Sequence, residues 1–183
     1  MRVLLDANVL FPTVMREVLL GCARAGLLQP LWSPRILEEW RRAAGRKGPA
    51  AAAAVGVEIA LVTAAWPEAA VLPDPEVEAA LWLPDANDVH VMAAALAGQA
   101  EVLMTLNARD FPTRILAKHG LLRRDPDGFL AELAVETAVV ADAVAVAHRR
   151  AEQASGADQP LRPLLKRAGL PRLGRALAEG EKR

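Results

Sequence analysis

The chain opens on Met1-Arg2-Val3-Leu4-Leu5-Asp6-Ala7-Asn8, and this stretch decides the fold. Val3, Leu4 and Leu5 form an unbroken apolar run with no alternation of polar and apolar positions. Such a run predicts a strand over 2–6 that is buried on both faces, as in a parallel sheet. It ends on a carboxylate, Asp6. A second run, Val102-Leu103-Met104-Thr105, also predicts a strand and leads into Leu106-Asn107-Ala108-Arg109-Asp110-Phe111. Between them Leu28 to Trp32 reads as another strand. Ser33 then caps a helix with Pro34 at its first position.

Helical patterns separate these strands. Val14, Val18, Leu19 and Cys22 share one face of a helix over 13–25, which Gly26 closes. The helix from Pro34 runs through Arg42 or Ala43. Ala50 to Val57 reads as helix, and Ala60 to Ala65 as a short helix or its continuation. Ala70 to Leu72 reads as strand-like, and Val77 to Leu83 leans to a short helix. Asp85 or Asn87 caps a helix over Val89 to Ala97 that ends at Gly98. Thr113 to His119 is a short helix ended by Gly120. Strand and helix in alternation predict an α/β fold, a mostly parallel sheet flanked by helices.

The texture changes after Leu121. Asp125-Pro126-Asp127-Gly128 is a turn signal, and Phe129 to Arg150 carries long apolar periodicity without strand character. Leu164 to Ala168 and Leu173 to Glu179 read as two short helices around Gly169-Leu170-Pro171. The expected organisation is an α/β domain over 1–125 and a small helical C-terminal appendage over 126–183.

Composition narrows the class. No apolar run approaches the ~20 residues that a membrane-spanning helix needs. Arg2 is followed by an apolar run that meets Asp6 too soon for a signal peptide. A single cysteine, Cys22, excludes an internal disulfide and a thiolate metal cluster. These features predict a cytoplasmic protein with no membrane role. The net charge is zero overall. From His148 onward nine Lys and Arg face four acids, a net +5 that leaves −5 for the preceding part of the chain. An acidic body and a basic tail suit metal binding in one part and phosphate attraction in the other. A solvated helical face is the other reading of the basic stretch.

The polar clusters gather where an open α/β sheet binds its ligands, at the carboxyl ends of the strands. Asp6 ends the first strand, and Asn8 can orient it or a bound water; a simple helix cap remains the other reading of Asp6. In Ser33-Pro34-Arg35-Ile36-Leu37-Glu38-Glu39, the two glutamates point about 100° apart, so only one can face Asp6. Glu39 is the choice, with both as surface residues the alternative. Asp85 and Asp88 stand three apart at a helix entrance, and capping explains one more easily than both. Asn107 and Asp110 repeat that spacing, and the Thr105 hydroxyl can fix a carboxylate or a water. Acids meeting at one edge repel unless a hard divalent cation sits among them. His90, two residues past Asp88, is turned about 200° away on a regular helix, which favours packing or surface over a general base. Arg109 is either a phosphate contact or an exposed loop cation.

In combination, Leu5-Asp6-Ala7-Asn8, Ile36-Leu37-Glu38-Glu39, Asp85-Ala86-Asn87-Asp88-Val89-His90-Val91-Met92-Ala93-Ala94-Ala95 and Thr105-Leu106-Asn107-Ala108-Arg109-Asp110-Phe111-Pro112 resemble the PIN-domain nucleases. Within them the likeness is to the VapC-like toxins of toxin–antitoxin pairs, over roughly residues 1 to 125. The last two segments look like a subgroup that also carries a helical C-terminal extension. The resemblance implies a Mg²⁺- or Mn²⁺-dependent endoribonuclease that hydrolyses RNA with a metal-activated water. It implies Asp6, Glu39, Asp88 and Asp110 as catalytic acids, with Asp6, Asp88, Asp85 and Asn107 binding the metal and Asn8 and Thr105 supporting. It further implies an RNA substrate, a cognate antitoxin protein and a homodimer. Asn107 departs from the fullest acidic pattern, where many relatives carry Asp.

Two other functions remain open at the level of sequence. One is a PIN-like module that binds RNA or protein without cutting. The other is a phosphatase with a strand-end Asp nucleophile, which usually needs a second Asp where this chain has Asn8. For the basic tail the expectation is a grip on RNA or a partner through Arg162, Lys166 and Arg167, with Arg109 contributing beside the acids.

Overall fold

A computed structural model describes residues 1–180. Glu181, Lys182 and Arg183, which entered the charge reading, lie outside the described residues. In chain order the elements are β1 (Arg2–Leu5), α1 (Ala7–Leu10), α2 (Thr13–Arg24), β2 (Gln29–Leu31), α3 (Pro34–Gly45), α4 (Pro49–Ala65), α5 (Pro75–Ala80), α6 (Val89–Ala97), β3 (Val102–Met104), α7 (Thr113–Ala117), β4 (Leu122–Arg124), α8 (Pro126–Glu136), α9 (Val139–Ser155), α10 (Leu161–Arg167) and α11 (Pro171–Gly180). Two 3₁₀ turns, Pro67–Ala69 and Ala86–Asp88, lie between helices. The chain forms two compact units, one of Met1–Phe11 with Gln29–Arg123, the other of Pro12–Leu28 with the chain from Arg124 onward.

The first unit is built on a parallel four-stranded sheet in the order β2-β1-β3-β4. Arg2 pairs with Gln29 on one side of β1, and Leu5 pairs with Met104 on the other. The chain moves outward from β1 to β2 and then returns to the far side of β1 as β3. In open α/β sheets such a reversal marks the crevice where ligands bind, beyond the carboxyl ends of the strands, here β1 and β3. Val3, Leu4, Leu5, Leu103 and Met104 are buried, which is why these strands read as continuous apolar runs.

The helices that border the crevice form for local chemical reasons. Ser33 Oγ accepts from the Ile36 backbone N–H at 3.2 Å, and Pro34 supplies a φ suited to the first helical position of α3. α3 buries Ile36, Leu37 and Trp40 along one face. Burying Ile36 alone stabilises by about 1.5–3 kcal/mol. α6 is apolar on every side and correspondingly buried from His90 through Ala95.

Ala60 to Ala65 is the continuation of the preceding helix, α4 running from Pro49 to Ala65, since Gly56 lowers helix propensity without breaking the pattern. Other elements differ from the sequence reading. Ala70 to Leu72 forms no strand; it makes a single parallel bridge, Trp32 to Ala70. β4 was not expected. It carries Arg123 and Arg124 on a run of three residues, too short and too charged to show as a strand by pattern. Asp125-Pro126-Asp127-Gly128 opens α8 instead of forming a free turn, with Asp125 Oδ1 accepting from the Gly128 N–H at 2.8 Å. Helix starts and turns draw on the same residue types.

The second unit is helical: α2 with α8 to α11. It therefore takes one helix from the N-terminal part of the chain. α2 and α9 approach so closely that a Cβ on Gly21 would lie 2.8 Å from the Ala143 Cβ. Asp127, buried at the start of α8, accepts from the Arg172 and Leu173 backbone N–H groups at 3.0 Å and so ties the first turn of α11 to α8. Among the described residues no helix is long and apolar enough to cross a membrane.

Candidate metal centre

Asp6 lies just past β1 and is buried. It stands at the N-cap position of α1, but its side chain forms no cap hydrogen bond. Its Oδ2 instead accepts from Asn8 Nδ2 and from Thr105 Oγ1, both at 2.6 Å. Parallel pairing of β1 with β3 puts Thr105 beside Asp6, and the Asp6 N–H donates to the Met104 carbonyl at 3.1 Å. Asn8 Oδ1 accepts from the Leu106 N–H at 3.0 Å, so Asn8 bridges the ends of the two strands. Burial raises the Asp6 pKa above the ordinary value, while hydrogen bonds, that of Thr105 foremost, pull the other way.

The two acids at the entrance to α6 have separate roles in the backbone. Asp85 Oδ1 accepts from the Asn87 N–H at 2.9 Å and caps the 3₁₀ turn. Asp88 ends that turn and makes no side-chain cap to α6. Its carboxylate is left facing other acids. Oxygens of Asp85, Asp88 and Asp110 all lie within 4.8 Å of one another, close enough for one cation to touch all three. Burial first, then the charges of Asp6, Asp85 and Asp110, push the Asp88 pKa up to about 6.

Asn107 lies within this acidic group. Its Nδ2 donates to Asp88 Oδ2 at 3.1 Å and to Asp110 Oδ2 at 2.8 Å. Two carboxylates fix the orientation of the amide, since only the NH₂ end can donate. Its own N–H donates to Thr105 Oγ1 at 3.0 Å, which links the network at Asp6 to the one at Asp88.

Glu38 and Glu39 part company on α3. Glu38 is held by Arg41 at 2.7 Å and Arg42 at 2.8 Å, and these guanidinium groups, Arg41 first, lower its pKa to about 2. Glu39 lies toward the crevice, 3.6 Å from Arg35 Nε and 2.9 Å from His90 Nε2. Burial raises its pKa, the Arg35 charge lowers it, and the charges of Asp6 and Asp88 raise it further. The charges of Asp6, Asp85 and Asp110 thus act on Asp88, and those of Asp6 and Asp88 act on Glu39. His90 is buried, not at the surface, and burial, with the Arg35 charge second, lowers its pKa to about 4. Arg109 is exposed in the loop between Asn107 and Asp110.

The donor set fits a hard divalent cation. It offers carboxylate oxygens, and burial raises the pKa of Asp6, Glu39 and Asp88, joined at Glu39 and Asp88 by the charges of neighbouring acids. Arg162, Lys166 and Arg167 lie on α10 of the helical unit, and all three are exposed. Arg167 donates to Gln159 Oε1 at 2.7 Å. The partnership of Arg35 with Glu39 had a sequence signal in its i, i+4 spacing. The bond of Asn107 to Asp110 had one in their three-residue spacing, while its bond to Asp88 had none.

If Glu39 is the member of the pair that serves the metal, Glu39→Gln weakens Mn²⁺ binding about tenfold or more, on the scale of a perturbed metal site. Glu38→Gln breaks only exposed ion pairs and leaves the affinity near wild type. Calorimetric titration of both variants checks this, and a larger loss at Glu38 reverses the assignment.

A parallel sheet with carboxylates collected beyond β1 and β3 defines a class, the nuclease-type α/β domains built around acidic metal sites. The PIN domain profile matches residues 2–109, more than half of the chain, and the chain belongs to the PIN-domain family. PIN domains are generally nucleases that use divalent metals and bind RNA. No curated protein and no solved structure matches the chain.

Proposed function

We propose that this protein is a Mg²⁺- or Mn²⁺-dependent endoribonuclease of the VapC type, the toxin of a toxin–antitoxin pair. The observation that carries the reading is the convergence on Asp88. Three carboxylates lie within 4.8 Å at Asp85, Asp88 and Asp110, and the charges of Asp6 and Glu39 also interact with Asp88. Asp6, Glu39, Asp88 and Asp110 are the catalytic acids, with Asp85 beside the cation. A bound divalent cation would supply an activated water and neutralise charge developing on the phosphate. The chain's own groups do the remaining work. Thr105 and Asn8 hold Asp6 from one side, which fixes the direction of its carboxylate. Asn107 keeps Asp88 and Asp110 together before any cation arrives. Arg109, exposed beside them, contacts a substrate phosphate.

Incubation of purified protein with a mixed RNA pool decides the reaction. Cleavage is expected with Mg²⁺ or Mn²⁺, lost with EDTA and restored by excess metal. RNA binding without cleavage under any of these conditions would favour a non-catalytic PIN module.

The cations of α10 are assigned to RNA. Reversing Arg162, Lys166 and Arg167 to Glu is expected to weaken RNA binding and to flatten its salt dependence, since fewer counterions are released. Cleavage of a very short RNA, once bound, changes little. If affinity and salt slope both stay at wild-type values, α10 does not touch RNA. The reading also includes an antitoxin protein as cognate partner and a homodimer in solution. Co-expression with the product of a neighbouring gene and sedimentation of the purified chain test these two features.

A further inference from the structure

His90 occupies the first turn of α6, two residues past Asp88, and its side chain is 2% exposed. Both ring nitrogens are buried, and neither has a hydrogen-bond partner among the described residues. An apolar side chain of similar size would fill this space without leaving two polar atoms unpaired. The ring must therefore be needed for something other than packing. Its nearest acceptor is Glu39 Oε1, 2.9 Å from Nε2, which is hydrogen-bond distance without hydrogen-bond alignment. Glu39 is the acid of α3 that lies toward Asp6 and Asp88 and feels their charge. Its other partner, Arg35, is half exposed and also reaches Glu78 Oε1 at 3.4 Å, so it is a divided, solvent-facing restraint. His90, enclosed by the buried body of α6, is a rigid one. His90 stands outside the group of Asp85, Asp88 and Asp110 whose oxygens lie within 4.8 Å of one another, and its nearest polar neighbour is the Glu39 carboxylate, so the ring acts on that carboxylate.

We propose that His90 is a positioning residue whose imidazole donates its Nε2 proton to Glu39 and holds that carboxylate turned toward Asp6 and Asp88. The inference rests on the nuclease reading of the same site. Residues that orient a metal-facing carboxylate typically change metal affinity or activity by about 10- to 100-fold when removed. Only the Nε2–H tautomer makes the contact attractive, because an imidazole lone pair facing a carboxylate repels it.

Three variants measured by Mn²⁺ calorimetry test it. His90→Leu keeps the bulk and removes the donor, and is expected to weaken Mn²⁺ binding about tenfold or more. His90→Gln retains an N–H and should recover most of that loss. In a Glu39→Gln background, His90→Leu should change the affinity no further. Equal losses for Leu and Gln, or a full additional loss in the Glu39→Gln background, would show that His90 only packs. A metal-free measurement on the wild type covers the case in which His90 variants do not fold. ¹⁵N NMR of labelled histidine is expected to show the proton of His90 on Nε2 and a signal that moves in Glu39→Gln. A proton on Nδ1, or a signal indifferent to Glu39, overturns the proposal. Absence of any Mn²⁺ binding by the wild type would sink the nuclease reading instead, and the NMR arm would still decide His90.

Discussion

Asp88→Asn is expected to lower RNA cleavage on the order of 10²- to 10³-fold, the scale on which one element of transition-state charge stabilisation is felt. The same change should stabilise the metal-free protein at pH 7. The raised pKa sets the sign. Asp88 moves from its ordinary 3.8 up to about 6, so the folded chain holds this proton more tightly than the unfolded one. Its contribution to stability is full below about pH 4 and is lost as pH rises through about 6. Above that, wild type carries a carboxylate among Asp6, Asp85 and Asp110 with no cation to offset it. Asparagine is nearly the same shape and carries no charge. In EDTA at pH 7 the Tm of Asp88→Asn should therefore exceed that of wild type by a few degrees, at about 2–4 °C per kcal/mol for a chain of this size. Added Mn²⁺ should reverse the order, since it stabilises only the form that binds it. Melting curves from pH 4 to 8, with and without metal, together with cleavage assays, check both halves. Wild-type cleavage by the variant would remove Asp88 from the site. A wild-type fall in Tm with pH in the variant would remove it from the electrostatic cluster.

Much of this arrangement was legible because it depends on types of residue at the ends of simple patterns. Val3-Leu4-Leu5 and Val102-Leu103-Met104 could be read as buried parallel strands, and the residues just past each strand must lie at the carboxyl edge of the sheet. That alone gathers Asp6, Thr105, Asn107 and Asp110. The 100° between neighbours on a helix sends Glu38 and Glu39 different ways, and Glu38 goes to Arg41 and Arg42. The hidden part depended on tertiary context. The turn of about 200° between Asp88 and His90 assumes one regular helix. The chain instead passes through a 3₁₀ turn that ends at Asp88, and His90 comes to lie beside Glu39 on α3. The amphipathic face of α2 announces burial but not its partner. Periodicity cannot say that Gly21 meets Ala143, far along the chain, within the helical unit. β4 is short and charged, and it owes its place to pairing beside β3, with the Leu122 N–H donating to the Glu101 carbonyl at 3.0 Å.

The second large effect is expected at Asn107, and its sign should depend on metal. The amide NH₂ now lies between Asp88 and Asp110, donating to each at 3.1 and 2.8 Å, where it offsets part of their mutual repulsion. It serves as a weak, permanent stand-in for positive charge. Asn107→Asp removes both donated hydrogen bonds and adds a fourth carboxylate to Asp85, Asp88 and Asp110. Without metal the variant should melt several degrees below wild type, because half-buried like charges repel and a bridge is lost. The added charge also raises the Asp88 pKa beyond about 6, so the loss grows as pH increases through the neutral range. With Mn²⁺ the balance inverts. Another oxygen ligand and a stronger field should tighten binding by about tenfold or more, a change of roughly 1.4 kcal/mol or more. A second equivalent of Mn²⁺ is expected to bind the variant where wild type takes one, since the space now bridged by an amide becomes bridged by a cation. Calorimetric stoichiometry and paired melting curves in EDTA and Mn²⁺ give the answer. Equal stoichiometry and equal affinity in the two proteins would mean that Asn107 stands apart from the metal, and that its bonds to Asp88 and Asp110 only shape the loop.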